Sequence, residues 1–533
     1  MLQEQLLLII SLLLGIALLT MISNKLKISY PILLVISGLI ISIIPGMPII
    51  RLEPDLVFLI FLPPILYAAA WNTSWYDFWK NKRPISLLAF GLVIFTSAAV
   101  AIVATMIIPD FPLAFGFLLG GIISPPDAVA ATSVLQSVRI PKRIVTILEG
   151  ESLVNDASSL IVFRFALAAI VTGQFDFWTA SKSFFMVAGM GIVIGVAIAF
   201  IIYYVHRFFP TTASIDAAIT LITPYIMYIT AEHFHYSGVL AVVSGGLFLT
   251  YRSAEMFAYD TRLQVSGIWE TLIFLLNGFV FILIGLQLPD IIDGLGNYSI
   301  EQAILYAVII SLVTIALRLI WVFPSAYLPR YLFKSIKRED PPPSWQTIFL
   351  VGWSGMRGVV SLASALAIPL TLSGNAFPHR NLILFITFVV ILVTLVLQGL
   401  SLKPLIRWLK IEAGDSKAER QSILSLRVRL AESVLSYLDS NYADEIERHD
   451  PYKRLRDRFD RMIEISKRKL ATDDDEQEDE EASFLPQYRQ MLLEIIHIRR
   501  RELNYYRHTG EYSEELIRER EWELDLEEAR LQS

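Results

Sequence analysis

The chain contains no cysteine among its 533 residues. Disulfide bonds, thiolate metal sites and a cysteine nucleophile are therefore excluded. Charged residues are also scarce: they make up 18% of the chain, against 54% hydrophobic residues, whereas an ordinary soluble domain has about 25% charged residues. Together these shortages exclude a disulfide scaffold and a disordered protein, and they indicate a membrane protein. With a net charge of −6, the chain has no electrostatic footprint for a nucleic-acid partner.

The charge is distributed unevenly along the chain. Residues 1–410 hold 24 Lys and Arg and 20 Asp and Glu, a net of +4, whereas residues 411–533 hold 21 and 31, a net of −10. We therefore expect a transmembrane body, 1–410, followed by a helical cytoplasmic tail, 411–533, in which the acidic run 472–481 is a solvated linker. The tail has two open interpretations: its helices pack on each other or on a partner subunit, or they form a regulatory module.

The body is predicted to cross the membrane about thirteen times, because a bilayer core of about 30 Å needs about 20 apolar residues per helix. Alternate loops hold 18 basic residues on one side and 3 on the other, and basic loops mark the cytoplasm. The N-terminus is thus expected outside and the tail inside, in a multi-pass protein of the plasma (inner) membrane. The predicted spans are 6–23, 30–48, 56–71, 85–108, 113–137, 144–172, 183–205, 215–233, 236–251, 266–288, 302–328, 346–370 and 380–402.

Two of these spans contain helix-breaking residues. In the fifth span, Ser124, Pro125, Pro126 and Asp127 are consecutive, and two prolines stop an ordinary helix. We expect Ser124 to cap a second half-helix that starts at Pro125, with Asp127 in its first turn, where a carboxylate complements the helix dipole. In the twelfth span, residues 352–358 read GWSGMRG, and the glycines permit unwinding beside the arginine.

The two interrupted spans occupy matching positions if the body contains two repeats. A first repeat, about 6–172, and a second, about 215–402, are joined by the linking span 183–205. Each interruption then lies in the fifth span of its repeat, and the repeats have opposite orientations. Such a matched pair is the best sequence indication of a transporter site. The alternative is that the prolines and glycines serve only kinks and packing.

Span six carries polar and charged residues deep in the predicted membrane. Ser152 and Asp156 are four residues apart and share one helix face, and Asn155 neighbours Asp156. A charge at the membrane centre costs roughly 2.5–3.5 kcal/mol, so Asp156 is expected to bind a proton at one pH and a hard cation at another, since oxygen ligands suit such cations. The alternative is a structural ion pair with a buried arginine. For Glu151 we favour that structural role, with Arg318 or Arg357 as the partner. Arg164 either reaches toward the interface or pairs with an acid.

The motifs resemble those of the monovalent cation:proton antiporter-1 family, the bacterial NhaP and NHE-like sodium/proton antiporters. Residues 150–157 read GESLVNDA and are similar to the family's span-six signature. Four further segments support the resemblance, namely 61–66 (FLPPIL), 237–243 (SGVLAVV), 285–288 (GLQL) and 355–358 (GMRG). The resemblance covers roughly residues 30–400.

The resemblance implies an all-α, NhaA-like fold, a homodimer, and alternating access by a core domain that moves against a dimerisation domain. It implies that Na⁺, or alternatively K⁺ or Li⁺, competes with a proton for Asp156, with no cofactor. Ser152 would be a cation ligand, Asn155 would hold the crossing of the interrupted helices, and Asp127 would shape the site. Glu151 would pair with Arg318, and Arg357 would balance charge.

The sequence departs from the family pattern at two places. Pro126 replaces a threonine of archaeal relatives, so that only its backbone carbonyl is available as a ligand. Tyr67, Ala68 and Ala69 occupy the stretch where many relatives carry a third-span carboxylate. Since Asn155 precedes Asp156, where electrogenic relatives have two aspartates, we expect electroneutral exchange of one cation for one proton.

Two other classes of function are the hypotheses beside an antiporter. A cation channel gated by the tail is the alternative, although the sequence contains neither an arginine-rich voltage sensor nor a K⁺-type filter loop. An intramembrane enzyme is not expected, because the chain has no HExxH or GxSxG motif. The prediction therefore remains a transporter, with monovalent cations and protons as the transported ions and membrane lipid as its surroundings.

Overall fold

A computed structural model describes a helical protein that divides into two compact units, 1–414 and 415–533. The residues whose structure it describes are 2–26, 29–44, 54–135, 138, 140–174, 177–296, 298–333, 342–372, 374–411, 416–471, 480–509 and 514–532.

The first unit consists of long apolar helices and one short two-stranded antiparallel hairpin. Its helices are α1 (Leu2–Leu26), α2 (Tyr30–Ser42), α3 (Pro54–Asn72), α4 (Trp75–Lys80), α5 (Lys82–Ser86), α6 (Val93–Ile107), α7 (Leu113–Ile123), α8 (Ala128–Leu135), α9 (Lys142–Thr172), α10 (Phe177–Phe208), α11 (Ala213–His233), α12 (Gly238–Met256), α13 (Tyr259–Leu286), α14 (Leu288–Asp293), α15 (Ile300–Leu332), α16 (Trp345–Trp353), α17 (Val359–Leu366), α18 (Arg380–Val393) and α19 (Gly399–Leu409), and its strands are β1 (Thr371–Leu372) and β2 (Asn375–Ala376). Wide π-helical turns join α5 to α6 (Leu87–Leu92) and α18 to α19 (Thr394–Gln398).

The prediction of an all-α polytopic membrane protein is confirmed. Within the described residues, nine helical stretches are long and apolar enough to cross a membrane, and Tyr30–Ser42 and Leu59–Asn72 are shorter apolar helices. The two other predicted spans fall on α12 and on α16 with α17. The structure is thus consistent with thirteen spans, and that count stays a prediction.

Serine and threonine caps fix where several helices begin. An N-cap side chain accepts a hydrogen bond from a backbone N–H of the first turn, which would otherwise lack a partner. The Ser237 hydroxyl accepts from the Leu240 N–H at 3.2 Å at the start of α12, and Ser299 accepts from Gln302 at 3.2 Å at the start of α15. These polar residues therefore mark helix boundaries within an apolar sequence, which hydrophobicity alone does not locate.

The long helices of this unit pack as two groups. In the first helix group, α1–α3 and α10–α13, the main packing pairs are α2 with α13, α3 with α12 and α10 with α12. In the second helix group, α5–α9 and α15–α19, they are α6 with α7, α7 with α9 and α15 with α18. Small residues allow close approach: a Cβ at Gly195 of α10 would overlap the Ala241 carbonyl of α12, and one at Gly120 of α7 would overlap Ser97 of α6.

The second unit contains two helical hairpins. Its helices are α20 (Ser416–Asn441), α21 (Ala443–Arg448), α22 (Asp450–Ala471), α23 (Glu480–Thr509) and α24 (Glu514–Gln532). Val428, Ala431 and Ile463 form the apolar contact between α20 and α22, whereas ion pairs such as Arg499–Glu527, at 2.7 Å, join α23 to α24. The predicted linker 472–481 lies outside the described residues except for its last two, which begin α23.

Candidate functional site

The two interrupted spans meet in the second helix group. Helix α7 ends at Ile123 and α8 begins at Ala128, while α16 ends at Trp353 and α17 begins at Val359. The non-helical segments contact each other directly, since the Asp127 N–H donates to the Met356 carbonyl at 2.7 Å. The four half-helices α7, α8, α16 and α17 therefore end or begin around one point inside the protein.

The start of the second half-helix differs from the sequence prediction. Ser124 does not cap α8; it follows the end of α7, and its N–H donates to the Gly120 carbonyl at 2.9 Å. Asp127 occupies the capping place instead, because its carboxylate accepts from the Val129 N–H at 2.8 Å. A proline disfavours the helical conformation for the residue before it, which acts against a helix start at Pro125, and the Asp127 carboxylate supplies the cap three residues after Ser124.

Charged side chains match the helix ends at this crossing. Arg357 is fully buried, and its guanidinium donates to the carbonyls of Ile123, at 2.9 Å, and Ser124, at 3.4 Å, at the end of α7. It also contacts the Gly355 carbonyl. A positive group at a helix C-terminus and a negative group at an N-terminus both complement the helix dipole. Arg357 and Asp127 thus occupy the electrostatically favourable ends of different half-helices.

Helix α9 fastens the crossing through two side chains of the GESLVNDA motif. The Ser152 hydroxyl accepts from the Ala128 N–H at 3.2 Å, and the Asn155 side-chain amide donates to the Pro126 carbonyl at 2.9 Å. Ser152 lines the cavity described below, whereas Asn155 is fully buried and does not. The Pro126 carbonyl, an expected cation ligand, is therefore already engaged by Asn155 through one of its two lone pairs.

Glu151 and Arg318 form an ion pair that is wholly shielded from solvent. The distances are 2.5 Å from Nη1 to Oε1 and 2.8 Å from Nη2 to Oε2, and neither side chain has exposed surface. Arg318 also donates to the carbonyls of Gly352, at 3.1 Å, and Val351, at 3.2 Å, in α16. Such bidentate, fully bonded geometry is what a buried pair needs to offset its desolvation.

Asp156 lies at a cavity of about 430 Å³ between the two helix groups. The carboxylates of Asp127 and Asp156 both line this cavity, together with Ser152. Asp156 is buried, and within the described part of the chain no lysine or arginine forms an ion pair with it. The structural alternative of a buried ion pair is therefore not the arrangement seen, and the carboxylate can accept a proton or a cation from the cavity.

The cavity wall also contains polar residues to which the sequence analysis gave no site role. They are Tyr30, Asn72, Thr132, Ser133, Glu149, Glu270, Asn277 and Ser361. Asn277 is buried in an otherwise apolar stretch. A lone amide within an apolar run is the sequence feature that could have indicated a site role for this residue. Glu149 precedes Asp156 by seven residues, which is two helical turns. Their spacing therefore already predicts that the two side chains lie on the same face of the helix.

The fold and the site define a class of protein. A polytopic helical body, in which two interrupted helices cross beside a buried carboxylate at an internal cavity, is the architecture of a secondary transporter. Residues 9–408 match the family described as sodium/hydrogen exchanger, transmembrane. The chain belongs to this sodium/hydrogen exchanger family. The predicted monovalent cation:proton antiporter family is thereby confirmed, and membership assigns the chain to a family of transporters rather than enzymes.

Named relatives agree with this assignment. The chain is 36% identical over 382 residues to the sodium, potassium, lithium and rubidium/H⁺ antiporter of Bacillus pumilus; the match covers 70% of this chain and 57% of that protein. It is 30% identical to an uncharacterised Na⁺/H⁺ exchanger of Mycobacterium bovis, over 96% of this chain and 93% of that one. The second match therefore extends through the tail, whereas the first spans little more than half of its relative.

A solved structure shares the fold. The sodium proton antiporter MjNhaP1 of Methanocaldococcus jannaschii superposes with a TM-score of 0.60 and 21% sequence identity, over 75% of this chain and 99% of that protein. At this level of identity the similarity establishes the fold of the transmembrane body.

Proposed function

We propose that this protein exchanges a monovalent cation for protons across the membrane, with Asp156 as the group for which cation and proton compete. The carrying observation is the placement of Asp156: a buried carboxylate without a cationic partner among the described residues lines a cavity at the crossing of two interrupted helices. Family membership and the activity given in the relatives' names support the proposal.

The oxygen atoms around Asp156 suit an unhydrated or partly hydrated alkali cation. Ser152 offers a hydroxyl, Asp127 a second carboxylate and Pro126 a backbone carbonyl, and all three residues line the same cavity. Hard cations favour such ligands. Na⁺ is the proposed substrate, with K⁺ and Li⁺ as the alternatives to be compared.

Asn155 has a positioning role in this proposal rather than that of a ligand. Its amide holds the Pro126 carbonyl of the interrupted segment, and it does not reach the cavity wall. Glu151, Arg318 and Arg357 neutralise charge and fix the half-helices around the site.

We propose that the cavity faces the cytoplasm. It is lined by residues from Glu149 to Asp156 in the first half of α9 and by the end of α3 at Asn72. These helix ends adjoin the basic residues Lys80, Lys82 and Lys142, which by the distribution of basic loops lie inside. By the same argument we propose that the N-terminus lies outside and the tail in the cytoplasm. We further propose a homodimer in the plasma membrane, as the family resemblance implies.

Proton flux in proteoliposomes tests the proposal. A luminal pH dye would follow protons at zero clamped voltage after addition of Na⁺, K⁺ or Li⁺, for the wild type and for Asp156→Asn. We expect cation-dependent proton movement that falls at least a hundredfold in the variant, because the amide cannot exchange a proton for a cation. Arg252→Gln, which alters an exposed ion pair on α12, is the control.

The other outcomes distinguish the alternatives. Equal flux in wild type and Asp156→Asn would contradict the role of Asp156 and direct attention to Asp127. Cation conductance without saturable proton coupling, from correctly inserted protein, would favour the channel.

A further inference from the structure

An ion pair outside the site joins α9 to α11. The Arg164 guanidinium nitrogen Nη2 lies 2.8 Å from Oε1 and 2.6 Å from Oε2 of Glu232. Glu232 lies in the last turn of α11, and its Oε1 also accepts from the Gly238 N–H, at 3.1 Å, at the start of α12. The carboxylate is therefore held in place by the first helix group, and the arginine reaches it from the second.

This pair links the two helix groups. Among the described residues of the same unit, three other ion pairs each lie within one group: Glu151–Arg318 in the second group, and His206–Asp216 and Arg252–Glu255 in the first. A pair within one group survives any movement between the groups. The Arg164–Glu232 pair does not, because its members separate as soon as α9 shifts relative to α11.

The pair lies on the side of Asp156 opposite to the cavity. The residues of α9 in the cavity wall run from Glu149 to Asp156. Arg164 follows Asp156 by eight residues, about 12 Å along a helix, on approximately the same face. Leu160 lies between them, one turn from each, and packs against an apolar cluster formed mainly by α3, α11 and α12. Asp156 thus borders the cavity on one side, whereas an apolar contact followed by an ion pair lies on the other.

We propose that Arg164 and Glu232 form a latch that closes the pathway on the side of Asp156 facing away from the cavity, and that exchange requires the latch to open. The inference rests on the proposed function, because only alternating access requires Asp156 to face both sides. The exposure of the two side chains, 44% and 28%, suits this role. A partly exposed pair loses less on opening than a fully buried one, so it can break and re-form in each cycle more readily than the Glu151–Arg318 pair.

Single-cysteine labelling tests the latch without reference to transport, and the absence of native cysteine removes background. Leu160→Cys reports the closed side, and Ala69→Cys, in the cavity wall, reports the open side. Each is combined with Arg164→Gln or with Glu232→Gln, which keeps an acceptor for the Gly238 N–H. A membrane-impermeant maleimide is applied to sealed membrane vesicles of either orientation, with Arg252→Gln as the matched control for loss of an exposed ion pair.

We expect either latch variant to raise maleimide labelling of Leu160→Cys from the side opposite to the cavity about five- to tenfold. The same variants should lower labelling of Ala69→Cys from the cavity side, and Arg252→Gln should change neither rate. Exchanging the two charges, Arg164→Glu with Glu232→Arg, should return the labelling rate of Leu160→Cys toward that of the parent. A changed rate at position 160 without restoration by the exchanged pair would contradict an ion-pair latch.

The outcomes separate the latch from the proposed function. Unchanged labelling in both latch variants, at normal membrane levels and with intact cation-dependent proton flux, would overturn the latch alone. The expected labelling shifts in a protein that shows no cation-dependent flux would support the latch and contradict the proposed exchange.

Discussion

At the scale of single residues, the stability of the protein depends on whether each buried charge has a partner. Glu151, Arg318 and Arg357 have no exposed surface, and each uses its donors or acceptors on a neighbouring charge or carbonyl. Removing one partner of such a set leaves an uncompensated charge inside the protein, which costs far more than the intact pair contributes.

This predicts the effect of Glu151→Gln on stability. Arg318 would remain charged and buried beside a neutral amide, so we expect a loss of about 3–5 kcal/mol in unfolding free energy. Thermal unfolding of the purified protein in detergent measures the change. Glu255→Gln, in the exposed pair with Arg252, is the control and should leave the melting temperature nearly unchanged, because exposed ion pairs contribute little. Equal decreases in melting temperature in the two variants would contradict the claim that burial makes the loss of a charge partner costly.

At the scale of elements, the interrupted helices show which local signals were sufficient. Pro125 and Pro126 predicted a break in the fifth span, and α7 ends just before them. The predicted start of α8 at Pro125 is three residues too early: Pro126 disfavours a helical Pro125, and the Asp127 side chain, not that of Ser124, caps the helix. The glycines of the twelfth span indicated unwinding but not what the unwound segment contacts.

Gly358 provides a test of the crossing. A Cβ at this position would overlap the Asp127 carboxylate, so Gly358→Ala must displace the Asp127 side chain from its place at the crossing. We expect loss of cation-dependent proton flux and a lower melting temperature. Gly267→Ala in α13, where nothing lies within 4 Å of an added Cβ, should leave flux intact and add about 0.5–1 kcal/mol of stability. Normal flux in Gly358→Ala would show that the crossing tolerates displacement.

At the scale of the whole molecule, the site lies entirely within unit 1–414 and the hairpins lie within unit 415–533. We therefore expect a protein truncated after residue 414 to retain cation-dependent proton flux. Flux measured from pH 6 to 9 in the same proteoliposomes tests both interpretations of the tail. An unchanged profile would eliminate the regulatory interpretation, whereas abolished flux in correctly inserted protein would contradict the independence of the site.

The stoichiometry also concerns the whole molecule. Only Asp156 is proposed to exchange its proton for a cation, since its neighbour in the motif is Asn155. Each cycle should then move no net charge. A voltage-sensitive dye in unclamped proteoliposomes should report no membrane potential during Na⁺-driven proton movement. A potential of consistent sign would require a second titrating group, with Asp127 the candidate by position.

The amino-acid sequence by itself determined the membrane class, the approximate helix positions and the residues of the GESLVNDA motif, because apolar runs, prolines and buried-type charges are local properties. It did not determine that the Asn155 amide donates to the Pro126 carbonyl or that the Arg357 guanidinium donates to carbonyls at the end of α7. Nor did it determine that Tyr30 and Asn277 line the cavity. Only the tertiary structure decided these contacts and paired Arg164 with Glu232, since they join residues 29 to more than 200 positions apart whose approach depends on how the helices pack.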